Sequence, residues 1–242
     1  MHNYFNMILE NLGPVFMSVH NYSTMSQLGI EIVCALIAYV LGSIPSAIWV
    51  GRKFYGIDVR EHGSGNAGAT NVFRVLGKGP GTVVLLMDII KGFLSVIMAY
   101  EMGCYFAEMG WQSSQLTYFF PVVFGVLSVV GHMLPVFEKF KGGKGVATLF
   151  GVIIALDPRV AGMALLVFVV VNIITGYVSV GSLMAGLSIP LLFLQGFDYR
   201  DSSIVVFSIS VGLLIIYTHR KNIKRLIAGE ETKSRLLAKK SK

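Results

Sequence analysis

Long apolar blocks set apart by short polar ones are the pattern of this chain. A helix that crosses a bilayer needs about 17–25 mostly apolar residues. Blocks at residues 30–50, 81–100, 118–137, 160–174, 178–194 and 203–217 meet or approach that length, and 146–156 looks like a half-length span. The pattern predicts an all-α integral membrane protein with about seven transmembrane helices. The first block is broken late by Gly42 and Pro45, and the second carries Asp88 and Lys91 inside it. The two halves show no duplication, which argues against an inverted-repeat transporter.

Composition agrees with the pattern. The 242 residues are 54% apolar and only 14% charged, where soluble domains run about 45–50% and about 25%. A net charge of +7 would suit a nucleic-acid binder, but the basic residues cluster in loops beside spans. Arg52, Lys53, Arg60, Arg74 and Lys78 lie between the first two spans, Lys139, Lys141 and Lys144 between the third and fourth, and nine more follow the seventh. Lys and Arg collect on the cytoplasmic side. With seven spans the three basic regions share that face, the C-terminus is cytoplasmic and the N-terminus outside. The basic tail by itself is equally a topology signal that attracts anionic lipid. Cys34 and Cys104 match no metal spacing or disulfide framework and read as packing residues. Residues 1–24 have no basic n-region or small-residue cleavage site and do not read as a secretory leader. Met25 stands just before the first clear span, so this stretch is a nonessential extension or follows a start placed too early.

Two polar segments sit between the apolar blocks. The first runs Gly63-Ser64-Gly65-Asn66-Ala67-Gly68-Ala69-Thr70-Asn71 and ends at Arg74. It contains a formal G-x-G-x-x-G, but neither the preceding strand nor the βαβ unit of a dinucleotide fold. Hydroxyls, amides and a guanidinium within a few residues suit a small phosphorylated polyol, Arg74 being the natural bidentate phosphate ligand. An ordinary surface loop of turn residues would look similar. The second runs from Gly131-His132 to Lys141-Gly142-Gly143-Lys144-Gly145. It is not a Walker A loop, since Lys144 precedes Gly145 rather than Ser or Thr. Two lysines around glycines at the start of a helix make an anion cradle; a helix-breaking hairpin with interfacial lysines is the plainer alternative. A lone histidine such as His132 is more often structural than catalytic. Asp88 and Lys91, at i and i+3, face one side, as a functional pair or as a mutual ion pair that orients the helix. After the last span His219 and Asn222 also share a face, near Arg225, with Glu230 and Glu231 placed to pair with basic neighbours.

Together these segments resemble the three motifs of the bacterial acyl-phosphate:glycerol-3-phosphate acyltransferase family. They are Gly42-Ser43-Ile44-Pro45 with the Gly-Ser-Gly-Asn loop to Arg74, Gly131-His132 through the Lys-Gly-Gly-Lys-Gly loop, and the tail His219, Asn222, Ile223, Arg225, Leu226, Gly229 and Glu231. Order and spacing match over about residues 28–231. Thr218 stands where the family often has a basic residue, and Leu134 where an aromatic is common. The resemblance implies a membrane acyltransferase domain over 28–231, flanked by an extension at 1–27 and a basic tail at 232–242. It implies transfer of a fatty acyl group from acyl phosphate to the sn-1 hydroxyl of glycerol 3-phosphate, the first acylation of phospholipid synthesis. The enzyme would lie in the bacterial inner membrane, face the cytoplasm, and work beside the acyl-phosphate-forming enzyme. Ser64, Arg74, Lys141, Lys144, His219 and Asn222 are the expected catalytic residues. Ser43, Gly65, Asn66, Gly68, Thr70, Asn71, Gly142, Gly143, Gly145 and Arg225 are the expected substrate-binding residues. No metal or coenzyme is expected.

Other glycerolipid acyltransferases use a His-x4-Asp pair. Here His62, His132 and His219 are followed at that offset by Ala67, Phe137 and Lys224. Direct attack on the already activated donor is therefore expected, helped by positioning and charge. A permease for a phosphorylated molecule is the competing class, but would spread its basic residues along a route through the bilayer.

Overall fold

Helices make up the regular structure of the described residues, which in this computed structural model are 24–109, 118–197 and 199–233. Most of the expected extension and of the basic tail lies outside them. Two compact units are distinguished, Met1–Cys34 and Ala35–Lys242; every contact described below lies within the second.

The chain forms α1 (Thr24–Gly42), α2 (Ser46–Tyr55), α3 (Ala69–Val75), α4 (Lys78–Glu108) and α5 (Phe119–Met133), then α6 (Val146–Leu156), α7 (Pro158–Thr175), α8 (Val178–Leu191), α9 (Ser202–Thr218) and α10 (Arg220–Ile227). Four segments are long and apolar enough to cross a membrane: Lys78–Glu108, Phe119–Glu138, Pro158–Thr175 and Val178–Gln195. The pairs α1–α2 and α9–α10, bent by 45° and 53°, raise the number to six. With the 11-residue α6, every apolar block is accounted for. The first block is not one rod. It breaks between Gly42 and Ser46, where Pro45 lacks an N–H and bars the preceding residue from helical backbone.

In a bilayer, water does not drive helices together, and small residues let their backbones approach instead. A Cβ on Gly42 would overlap the Ser128 backbone, and one on Gly131 the Tyr39 carbonyl. These glycines seat α1 on α5. Gly92 meets the Thr148 carbonyl and Gly151 the Ile89 carbonyl in the same way, locking α6 against α4. Val96, Val129, Val152, Ile153, Phe193 and Phe207 fill the main core. A smaller core of Ile48, Val59, Val72 and Val84 lies beneath the first polar loop. Outward-facing Leu166, Ile173, Val206 and Leu213 are exposed; such apolar surface belongs against lipid.

At one end of α6, Asp157 closes that helix and caps the next. Its Oδ1 accepts from Arg159 N at 2.8 Å, Pro158 sits at the first turn of α7, and Tyr199 Oη donates to Oδ2 at 2.8 Å. The Arg159 guanidinium lies over the Phe197 ring, 4.8 Å from its centroid. The other end of α6 opens on the polar loops.

Candidate active site

The first loop is built around Asn71. Its Oδ1 accepts from Ser64 N at 2.8 Å and Ser64 Oγ at 3.1 Å. Its Nδ2 donates to the Val59 and His62 carbonyls at 2.7 and 3.0 Å. At 1% exposure this amide is saturated and folds the loop over itself. Gly63 and Gly65, at φ 61° and 71°, supply the left-handed turns this needs. Asn66, Thr70 and Arg74 remain at least partly accessible.

A charged clamp ties this loop to the second. Glu138 receives Arg52 at 2.8 Å and Arg60 at 2.9 Å, Asp58 receives Arg60 at 2.7 Å, and Arg60 Nη1 donates to the Lys141 carbonyl at 3.2 Å. The Arg60 hydrogen bond holds the Asp58 carboxyl well below the usual range. The clamp steadies Lys139 and Phe140, which occupy positive φ without being glycine.

From there the chain turns back into the bundle. Gly142 N donates to the Met133 carbonyl at 3.1 Å and Gly143 N to the His132 carbonyl at 3.2 Å, so the loop descends along the last turn of α5. A Cβ on Gly143 would strike His132 Nε2 and come within 2.8 Å of the Ala67 carbonyl of the first loop. Gly145, at φ 78°, turns the chain into α6. This descent explains both the shortness of α6, about 16 Å against about 27 Å for α7, and the partial burial of Lys144.

The third segment meets Lys144 there. Lys144 Nζ donates to Asn222 Oδ1 at 2.5 Å, and Asn222 Nδ2 donates to Glu231 Oε1 at 2.7 Å. Glu231 also accepts from Ser179 Oγ at 2.7 Å and Arg225 Nε at 2.8 Å. Burial works against the Glu231 charge, but these hydrogen bonds keep its carboxyl below the ordinary range. With Nδ2 taken by a carboxylate, the Asn222 amide must turn its oxygen to Lys144. Burial, with the charges of Arg225 and Arg74, brings the Lys144 ammonium down to about 8, against the pull of Glu231. His219 Nδ1 donates to the Ile215 carbonyl at 3.0 Å, leaving Nε2 as its acceptor in the neutral ring.

All three segments therefore gather at one end of the bundle, and Arg74, Lys144, Asn222 and Arg225 share one electrostatic neighbourhood. Gly142, Gly143 and Gly145 shape the second loop; Gly65 and Gly68 lie in or at the edge of the first. Two expected substrate ligands are differently employed. Ser43 is fully buried, its Oγ donating to the Tyr39 carbonyl at 2.8 Å, because the helix break draws it into packing. Asn71 has no free polar atom for a ligand. Lys141 is exposed and joins the clamp through its carbonyl. The clamp of Asp58, Arg60 and Glu138 was not singled out in the sequence, nor was Ser179. Alternating charges around the loops hinted at the clamp; Ser179 carries no signal.

Comparison with known proteins points the same way. Residues 32–229 match the family model described as glycerol-3-phosphate acyltransferase. The chain belongs to the glycerol-3-phosphate acyltransferase family. Relatives bearing that family name include one from Fusobacterium nucleatum, 37% identical over 82% of this chain and 95% of its own. Another, from Listeria monocytogenes, is 40% identical over 84% and 96%. Two crystal structures of PlsY, an integral membrane glycerol 3-phosphate acyltransferase, are similar in fold. The glycerol 3-phosphate form gives TM-score 0.71 at 40% identity over 84% of this chain and 95% of that one. The lysophosphatidic acid form gives 0.68 at 39%, over 84% and 94%.

Proposed function

We propose that this protein transfers a fatty acyl group from acyl phosphate to the sn-1 hydroxyl of glycerol 3-phosphate, releasing lysophosphatidate and phosphate. Family membership supports the acceptor and the reaction class. The observation that carries the reading is Lys144, tethered to Asn222 by a 2.5 Å hydrogen bond among the charges of Arg74 and Arg225, where three glycine-rich or basic segments converge beside lipid-facing helices.

The substrates differ in kind, which explains the place of the site. A water-soluble phosphate enters from the polar end, and an acyl chain enters from the bilayer. The hydroxyl oxygen attacks the acyl carbonyl carbon, the bond from that carbon to the phosphate oxygen breaks, and phosphate leaves. The hydroxyl proton passes to His219 Nε2 or to a phosphate oxygen. Arg74, Lys141 and Lys144 hold phosphate groups, and Arg225 adds charge behind them. Ser64, Asn66 and Thr70 orient the acceptor and the carbonyl oxygen. Gly65, Gly142 and Gly143 shape the cradle, their N–H groups donating to the His62, Met133 and His132 carbonyls, the backbone at Gly68 and Gly145 completes it, and Asn222 holds the Lys144 ammonium in place. The chain crosses the bacterial inner membrane about seven times, N-terminus outside, with the site and C-terminus in the cytoplasm. There it takes donor from the acyl-phosphate-forming enzyme. Residues 28–231 are the acyltransferase domain.

The test is acyl transfer by purified protein in detergent with radiolabelled glycerol 3-phosphate. Palmitoyl phosphate, palmitoyl-CoA and palmitoyl-acyl carrier protein are compared as donors. Lysophosphatidate from acyl phosphate alone is expected. Product only from a thioester overturns the donor, and no product from any donor in folded protein returns the transporter reading to first place.

A further inference from the structure

A buried polar cluster lies just beneath the second loop, outside the machinery assigned above. Asp88 Oδ1 accepts from Ser46 Oγ at 2.9 Å and from Lys91 Nζ at 2.8 Å, and lies 3.4 Å from His132 Nδ1. Thr148 Oγ1 is 3.0 Å from the same ring nitrogen. Lys91 Nζ also donates to the Ile44 carbonyl at 2.9 Å, which the helix break leaves without a helical partner. Asp88, Lys91, His132, Ser46 and Thr148 are all at most 7% exposed. One cluster thus joins the break of the first span, α4, the end of α5 and the first turn of α6.

The cluster meets the second loop at Gly143. Its histidine presents Nε2 to Gly143, where no Cβ fits, and offers its own carbonyl to Gly143 N at 3.2 Å. Gly143 immediately precedes Lys144. Packing helices alone would not require a charged pair at this depth, since ionisable groups inside spans are costly. We propose that Asp88, Lys91, His132, Thr148 and Ser46 are positioning residues for the phosphate loop. They fix the height of the His132 ring, the ring fixes Gly143, and Gly143 sets the reach of Lys144 toward Asn222 and the phosphate. The inference rests on the acyl-transfer reading above, with Lys144 as a phosphate ligand.

The test uses the full chain in detergent and two near-isosteric changes that delete one hydroxyl each, Thr148→Val and Ser46→Ala. Three quantities are measured on monodisperse protein: KM for glycerol 3-phosphate, the inhibition constant of inorganic phosphate, and kcat per folded molecule. Thr148→Val should raise the KM and the phosphate constant together by about tenfold, since a misplacement near 1 Å can cost about 10²-fold. Thr148→Ser should restore both. A purely structural role lowers the folded fraction and leaves KM and the phosphate constant at their wild-type values; that result overturns the proposal. Failure of both Thr148→Val and Ser46→Ala to yield folded protein assigns the cluster to packing and overturns it equally. Inactive wild-type protein with every donor is a different failure, that of the acyl-transfer reading.

Discussion

Raising the pH should switch off Lys144. Its ammonium loses its proton at about 8 in the substrate-free site. One unit below that midpoint roughly 90% of the molecules carry the charge, and one unit above it roughly 10% do. If Lys144 supports binding only as the ammonium, kcat/KM for glycerol 3-phosphate falls about tenfold between one unit below the midpoint and one above. The bound phosphate stabilises the ammonium, so kcat at saturation turns down at higher pH than kcat/KM, which reports the free enzyme. The assay is initial rate against glycerol 3-phosphate from pH 6.5 to 9.5 (roughly a unit and a half either side of the midpoint), with donor hydrolysis subtracted. Lys144→Arg keeps its charge throughout this range. Whatever its absolute rate, its profile should lose the alkaline limb. Glu231→Gln removes the one charge that holds the Lys144 proton on and should move the limb to lower pH. An unchanged alkaline limb in Lys144→Arg refutes the reasoning.

Three further outcomes are expected. His219→Ala should cost about 10²–10⁴-fold in kcat if Nε2 takes the hydroxyl proton; a loss within about tenfold gives that proton to a phosphate oxygen. Gly92→Ala places a methyl on the Thr148 carbonyl, forcing α4 from α6, and should destabilise by about 1–3 kcal/mol; an unchanged melting temperature in detergent would contradict the close approach. Burial opposes the charge of Asp157, yet hydrogen bonds from Arg159 and Tyr199 outweigh it and hold the carboxyl at about 2. Because the folded-state value is the lower one, this stabilisation is complete above about pH 4 and fades as the pH falls toward 2. The melting-temperature gap between wild type and Asp157→Asn should therefore shrink on acidification over that window.

Much of this protein was legible in the linear order of its residues. A span must satisfy its own backbone within about 20 apolar residues, so block length alone locates helices, and the break at Gly42–Pro45 follows from one ring and one missing N–H. The polar loops were legible too, since glycines and lysines between spans have few other uses, and their order carried the family likeness. Tertiary structure decided how those loops are used. Asn71 and Ser43 have the chemistry of ligands, but the way their own segments fold consumes their hydrogen bonds on Ser64, Val59 and His62 and on Tyr39. Ser179 and Glu231 lie 52 residues apart and meet only because α9 runs back along α8 and returns the tail to the start of α8. Asp88 and Lys91 read equally well as a private pair until the packing of α2 and α5 against α4 brings Ser46 and His132 to the same carboxylate. Helix formation is set by neighbours along the chain, whereas a shared proton or phosphate is set by distances between segments, which only the folded bundle fixes.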